Sequence, residues 1–332
     1  MLLSFIAVVA GLALLIWSAD RFVDGAAAVA QLLGISTLII GIIVVGFGTS
    51  APEIGVSIVA VLEGTPGIAI GNALGSNIAN IGLILGVTAI LVAIPVQQRL
   101  LRTEFPLLII ATLAMSWCLY DLRLGYAEGG MLIMLLVFML YYLVRRHRRY
   151  AGEAVLADNE SPEANDDSTE SEGLTRLQAC LWILGGLVLL IFSSKILVWG
   201  ASNIAREFGV SELIIGLTIV ALGTSLPELA ASIASLKKNV PDVAIGNVIG
   251  SNLFNSLAVV GIPAMLTPFH FEQSALTRDL PVVIALTAAL ILMSRFPGGS
   301  PYYLTRTKGI LLFAAFIIYQ LYLYYQVVAG SA

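Results

Sequence analysis

Apolar residues run through this chain in long blocks separated by short polar clusters. A block of about 20 apolar residues is what an α-helix needs to cross a bilayer. Ten such blocks are predicted as helices: roughly 2–19, 36–61, 67–94, 104–120, 126–144, 177–200, 211–236, 242–266, 279–295 and 309–328. Two of them, 36–61 and 211–236, exceed a simple crossing, which predicts tilted or broken helices. Both interrupt their apolar run with the same kind of phrase: "GFGTSAPEIGVSI" at 46–58 and "ALGTSLPELAASI" at 221–233. A glutamate beside a helix-disrupting proline is costly inside a membrane unless function requires it.

Composition supports the membrane reading. The 332 residues are 58% hydrophobic and only 11% charged, with mean hydropathy +0.95, whereas soluble domains carry about 25% charged residues. The first block lacks a basic leader and a clear cleavage site, so it reads as a retained helix. Cys118 and Cys180 show no metal-like spacing and suggest no disulfide framework. The lipid bilayer is the expected partner, with no nucleic-acid partner and no obligate protein partner indicated.

The chain is also self-similar. Glu53 and Glu228 are 175 positions apart, and the same offset aligns Ile35-Ser36 with Val210-Ser211 and Gly41 with Gly216. It also aligns "IAIGNALGSNIANIGLILG" (68–86) with "VAIGNVIGSNLFNSLAVVG" (243–261), and Glu104-Phe105-Pro106 with Asp279-Leu280-Pro281. The expected organisation is a first five-helix repeat at 1–150, a linker at 151–175 and a second repeat at 176–332. Five is odd, so the repeats enter the membrane from opposite sides. The predicted fold is an all-α integral membrane protein of ten transmembrane helices, arranged as two inverted five-helix repeats with broken helices at the centre.

Charge orients it. Arg21, Arg99, Arg102, "RRHRRY" (145–150), Arg176, Lys237, Lys238, Arg295, Arg306 and Lys308 fall in loops of one side, against Arg123, Arg206 and Arg278 on the other. The positive-inside rule places the richer side in the cytoplasm of a plasma membrane (the inner membrane of a prokaryote), with both termini outside. The 151–175 segment carries eight acidic and no basic residues. It reads as a solvated cytoplasmic linker, since it lacks the spaced ligands and turn glycine of a calcium loop.

The repeated phrases gather oxygen. Pro52 and Pro227 remove the helical partners of the Gly48 and Gly223 carbonyls. Thr49, Ser50 and Glu53, and likewise Thr224, Ser225 and Glu228, share helix faces at i, i+3 and i, i+4. Ser76 with Asn80, and Ser251 with Asn255, repeat the i, i+4 arrangement. All the ligands offered are oxygen, and His147 and His270 are expected in loops. Hard cations fit this inventory: two carboxylates balance one Ca2+ or most of the charge of several Na+. The bland readings are also specific. Asn72 and Asn247 are expected to bond between helices or to the broken backbone. Ser57 and Ser232 read equally as packing or pathway residues. Glu104 and Asp279 are expected at helix N-termini, and Asp20 and Lys195, repeat mates, near helix ends.

At "GTSAPE…GNALGSNIAN" and "GTSLPE…GNVIGSNLFN" the sequence resembles the sodium/calcium exchanger family of the calcium/cation antiporter superfamily, in its compact prokaryotic form with two alpha-repeats. The resemblance implies a secondary antiporter, with no cofactor, that moves Ca2+ against Na+ by alternating access. It implies a central cation site of Glu53, Glu228, Thr49, Ser50, Thr224, Ser225, Ser76, Ser251, Asn80 and Asn255, with the carbonyls of Gly46 and Ala221. Some family members carry aspartate where this chain has Asn80 or Asn255, which leaves stoichiometry and K+ dependence open. Proton/calcium or K+-dependent exchange is the alternative, since buried carboxylates also bind protons. An intramembrane enzyme would need a nucleophile or metal motif the chain does not show, and inverted repeats argue against a fixed channel.

Overall fold

The computed structural model describes residues 1–158, 175–208, 221–295 and 302–330. Its main helices are α1 (Leu2–Leu33), α2 (Thr37–Leu62), α3 (Pro66–Leu91), α4 (Glu104–Leu119), α5 (Tyr126–Asp158), α6 (Arg176–Glu207), α7 (Ala221–Thr224 and Leu226–Lys237), α8 (Pro241–Leu266), α9 (Ala275–Arg295) and α10 (Arg306–Gly330). Among the described residues, eight helices are long and apolar enough to cross a membrane, and α4 is a shorter apolar helix. The first part of the 211–236 block lies outside the described residues. The protein is an all-helical membrane protein, with two short strand pairs besides among the described residues. β1 (Ile94–Val96) pairs antiparallel with β4 (Tyr302–Leu304), and β2 (Arg123–Leu124) with β3 (Phe269–His270).

Several helices run beyond the predicted blocks. α1 continues to Leu33 and stops at Gly34, whose φ of 60° is the left-handed cap that glycine adopts cheaply. α6 starts at a capping box between Thr175 and Gln178 and runs to Glu207. Asp20 and Lys195 therefore sit within helices rather than at their ends. α5 extends through His147 to Asp158, so it enters the segment expected as linker and carries the histidine expected in a loop.

α1 and α6 run antiparallel at very short range. A Cβ on Gly200 would stand 2.7 Å from the Ser4 carbonyl, and one on Gly25 would stand 2.8 Å from the Ala179 carbonyl. Small residues allow this approach where no hydrophobic force separates helix from lipid. At one end of the pair the N-terminal amine meets Glu207 at 2.7 Å, and at the other Lys238 meets Asp24 at 2.7 Å.

α8 is buried along its whole apolar window. It crosses α2 backbone to backbone. A Cβ on Gly246 would stand 2.6 Å from the Leu38 carbonyl, one on Gly41 2.8 Å from the Val243 carbonyl, and one on Gly46 2.9 Å from Gly250 Cα. A Cβ on Gly250 would run into the Ile42 carbonyl.

The broken-helix expectation is met unequally. α2 passes Pro52 without stopping, and its irregularity lies upstream, in a π-wound stretch at Gly41–Val45. α7 does break, at Ser225 between Thr224 and Leu226. α3 and α8 each turn to π-winding, at Asn80–Leu85 and Asn255–Val259. Such turns disturb the i to i−4 ladder and often mark functional positions.

Candidate functional site

The two prolines leave the same problem, and the second repeat answers it with a side chain that the first does not have. Pro227 offers no N–H to the Gly223 carbonyl, and the Ser194 hydroxyl of α6 donates to it instead, at 2.6 Å. The repeat mate of Ser194 is Ala19, which has no hydroxyl. The Gly223 carbonyl expected to be free is thus taken.

The α2–α8 crossing sets the next layer. Thr49 Oγ1 donates to the Val45 carbonyl at 3.0 Å and reaches Asn247 Oδ1 at 3.2 Å and Ser251 Oγ at 3.5 Å. Ser251 Oγ reaches the Gly46 carbonyl at 3.5 Å. Glu53 and Glu228 are only 1% and 2% exposed, and the Glu228 carboxylate feels the charge of Glu53 and the Thr49 hydroxyl. Among the described residues, one oxygen of each carboxylate, and the Ser50 hydroxyl, have no hydrogen-bond partner. A buried polar atom left unpaired costs about 1–3 kcal/mol, more if charged. These atoms are therefore poised for something that supplies positive charge.

Backbone ties hold the carboxylates in place. Asn72 Nδ2 donates to the Glu53 carbonyl and to Ser57 Oγ, both at 3.0 Å. Asn247 Nδ2 donates to the Glu228 carbonyl at 3.1 Å and to Ser232 Oγ at 3.0 Å. The bland reading of these asparagines holds, and it makes Ser57 and Ser232 their acceptors.

Of the remaining candidates, Ser225, Ser76, Asn80 and Asn255 are buried and Thr224 is half-buried beside a cavity. Ala221 opens the short first piece of α7. Asn80 Nδ2 donates to Asn252 Oδ1 at 3.3 Å, and Asn77 Nδ2 to Ser256 Oγ at 3.1 Å. Asn77 and Asn252 were not among the predicted site residues. Their signal was present, because each stands three positions before a chosen asparagine and so on the same helix face. Ser256 and Ser194 had no such signal, since their repeat mates are Ile81 and Ala19.

One expectation is met in part and one changes. Asp279 does stand at a helix start, closing the π-wound opening of α9 just before the α-helical Leu280–Arg295, but its carboxylate is taken by Arg278 at 2.6 Å and Tyr319 at 2.8 Å. His270 lies in β3 rather than in a loop. Glu104 does stand in the first turn of α4.

Fold and site define a helical membrane protein with two buried carboxylates set among hydroxyls, amides and carbonyls, a donor set suited to hard cations. The sodium/calcium exchanger protein family matches residues 3–145 and 178–325, and this chain belongs to that family. It is 46% identical over 325 residues to CaxA of Alkalimonas amylolytica, whose name marks it as a candidate antiporter, covering 98% of this chain and 99% of that one. It is 27% identical over 360 residues to the sodium/calcium exchanger MaX1 of Methanosarcina acetivorans, covering 97% and 99%, and 25% identical over 299 residues to the Ca(2+)/H(+) antiporter ChaA of Bacillus subtilis, covering 84% and 81%. A solved structure of the sodium-calcium exchanger NCX_Mj superposes with TM-score 0.78 at 29% identity, over 96% of this chain and 97% of that one. The protein is a membrane-embedded member of a cation antiporter family.

Proposed function

We propose that this protein exchanges Ca2+ for Na+ by alternating access, with the two buried carboxylates of Glu53 and Glu228 at the centre of the cation site. The observation that carries this reading is the pair of carboxylate oxygens, unpartnered among the described residues, within a buried shell of oxygen donors. Thr49, Ser50, Thr224, Ser225, Ser76, Ser251, Asn80, Asn255 and the carbonyls of Gly46 and Ala221 complete the proposed donor set. One Ca2+ neutralises both carboxylates, and so do two Na+, so the ions compete for the same oxygens. Sealing two bare carboxylates away from water is expensive. The protein therefore changes face readily only when loaded, which couples the two fluxes.

The inverted-repeat organisation belongs to the same reading. Repeat mates α1 and α6 run antiparallel, with Ser4 by Gly200 and Gly25 by Ala179. Repeat mates α3 and α8 also pair in opposite senses, Asn77 with Ser256 and Asn80 with Asn252. Antiparallel mates are what an inverted repeat requires.

Uptake of 45Ca2+ into proteoliposomes loaded in turn with Na+, K+ or an acid interior tests the coupling. Uptake driven by an outward Na+ gradient is the expected result. Uptake driven by the proton gradient alone would replace it with proton coupling, the activity in the name of ChaA.

The proposed orientation puts 151–175 in the cytoplasm and both termini outside. A cysteine at Ser161, in a background lacking Cys118 and Cys180, is expected to resist an impermeant thiol reagent on intact cells and to react in inverted vesicles. Labelling from outside would reverse the orientation.

A further inference from the structure

The two proline phrases form a control within one molecule. Each proline withholds an N–H from the carbonyl four residues earlier. Yet α2 runs through Pro52, while α7 stops at Thr224 and resumes at Leu226. Ser225 between them has φ −93° and ψ 2°, in the bridge region outside the helical well. Its N–H bonds only three residues back, to the Leu222 carbonyl at 3.1 Å.

What differs beside the two phrases is a hydroxyl. Ser194 is buried in α6 and donates to the Gly223 carbonyl at 2.6 Å. One turn further along α6, Val198 closes on the same glycine, and a Cβ on Gly223 would run into it. The repeat mates of Ser194 and Val198 are Ala19 and Val23. The valine is kept and the hydroxyl is not. A buried carbonyl without a partner is costly, and a serine on a neighbouring helix can satisfy one that a proline has freed. Ser194 removes that cost only while the Gly223 carbonyl is turned toward α6, so its bond favours the broken form of α7.

We infer that Ser194 is a positioning residue for the cation site: by holding the Gly223 carbonyl it keeps α7 broken at Ser225, and so sets Thr224 and Ser225 against Glu228 across the break. This inference rests on the exchanger reading above, which makes those three residues donors. In an unbroken helix they would share one face, as Thr49, Ser50 and Glu53 do on α2. The break turns that face, so the two repeats offer the ion unlike halves. A cavity of about 280 Å³ beside the break, lined by Ser194, Thr224 and Pro227 among others, leaves α7 room to straighten once the bond is gone.

A double-mutant cycle tests this role. Pro227→Ala gives the Gly223 carbonyl a backbone N–H, so α7 can close without Ser194. Half-saturating Ca2+ and maximal exchange rate are measured in proteoliposomes for wild type, Ser194→Ala, Pro227→Ala and the double variant. Amide hydrogen exchange across 221–229 is followed on the same proteins in detergent. Ser194→Ala is expected to raise half-saturating Ca2+ by roughly three- to tenfold, the span of one neutral hydrogen bond, with the maximal rate per folded protein near that of wild type. Pro227→Ala is expected to raise it at least as far. The double variant is expected to match Pro227→Ala, because Ser194 then has nothing left to hold. Exchange of the amides at the break should slow in all three variants toward that of 46–54 in α2. Unchanged half-saturating Ca2+ in Ser194→Ala, unchanged amide exchange at the break, or a serine effect of full size in the Pro227→Ala background would each overturn the role while leaving exchange intact. If Ser194→Ala does not fold, the double variant decides, since its carbonyl is partnered: equality with Pro227→Ala upholds the role and a further loss overturns it. A wild-type protein that moves no Ca2+ would overturn the exchanger reading and the positioning role with it.

Discussion

Glu53→Gln and Glu228→Gln are each expected to abolish Ca2+ exchange while leaving the protein folded. Glutamine keeps the shape of the side chain and removes one of two buried charges. The site that remains must hold a divalent cation with a single carboxylate. Breaking one side of a buried charge interaction costs about 3–5 kcal/mol, so transport at a given Ca2+ concentration should fall by roughly 100-fold or more. Thermal stability should move the other way in cation-free buffer. The Gln proteins lose a desolvated charge and its repulsion from the second carboxylate, so they are expected to unfold at the same temperature as wild type or higher. Ca2+ should raise the melting temperature of wild type, because it binds only the folded state, and should leave both variants unmoved. Exchange at wild-type rates in either variant would remove that glutamate from the site.

Replacement of Gly250 is expected to destabilise the protein far more than replacement of its repeat mate, Gly75. A Cβ at Gly250 falls on the Ile42 carbonyl of α2, whereas a Cβ at Gly75 meets nothing within 4 Å among the described residues. Backbone cannot yield as a flexible side chain does. Gly250→Ala must push α2 from α8 at the point that aligns Thr49 with Asn247 and Ser251. Overpacking of this kind costs about 1–3 kcal/mol, and Gly250→Val costs more. Gly75→Ala removes a helix-destabilising glycine and should be neutral, or stabilising by up to about 1 kcal/mol. Thermal unfolding in detergent with size-exclusion recovery separates these outcomes. Equal losses for the two alanine variants would show that the α2–α8 crossing is not the tight one.

Much of the candidate site was legible because its signals are one-dimensional. The glutamate beside a proline inside an apolar run marks an expensive position, and its recurrence at Glu228 marks it as deliberate. Ser76 with Asn80 and Ser251 with Asn255 declare a shared face by spacing alone. Other members had no such mark. Ser194 serves the Gly223 carbonyl from a helix far away in sequence, and the other repeat has alanine in its place. Asp279 looked like the counterpart of Glu104 because a proline follows each by two positions. Its carboxylate instead serves Arg278 and Tyr319, a contact with α10 that local spacing does not encode.

Sequence by itself determined that the chain lives in a membrane, where its apolar blocks lie, that it repeats at an offset of 175, and which two carboxylates stand inside. Transfer into lipid is a property of each segment, and a repeat is a property of the string, so neither waits on folding. Tertiary structure decided which of two nearly identical phrases does what. "GNALGSN" and "GNVIGSN" carry the same glycines, yet Gly246 and Gly250 are pressed against α2 while Gly71 and Gly75 meet no described residue so closely. α2 passes its proline and α7 breaks near its own. A repeat is symmetric under a shift along the chain, but a single conformation packs its two halves unequally. The contacts that distinguish them belong to pairs of helices rather than to either sequence.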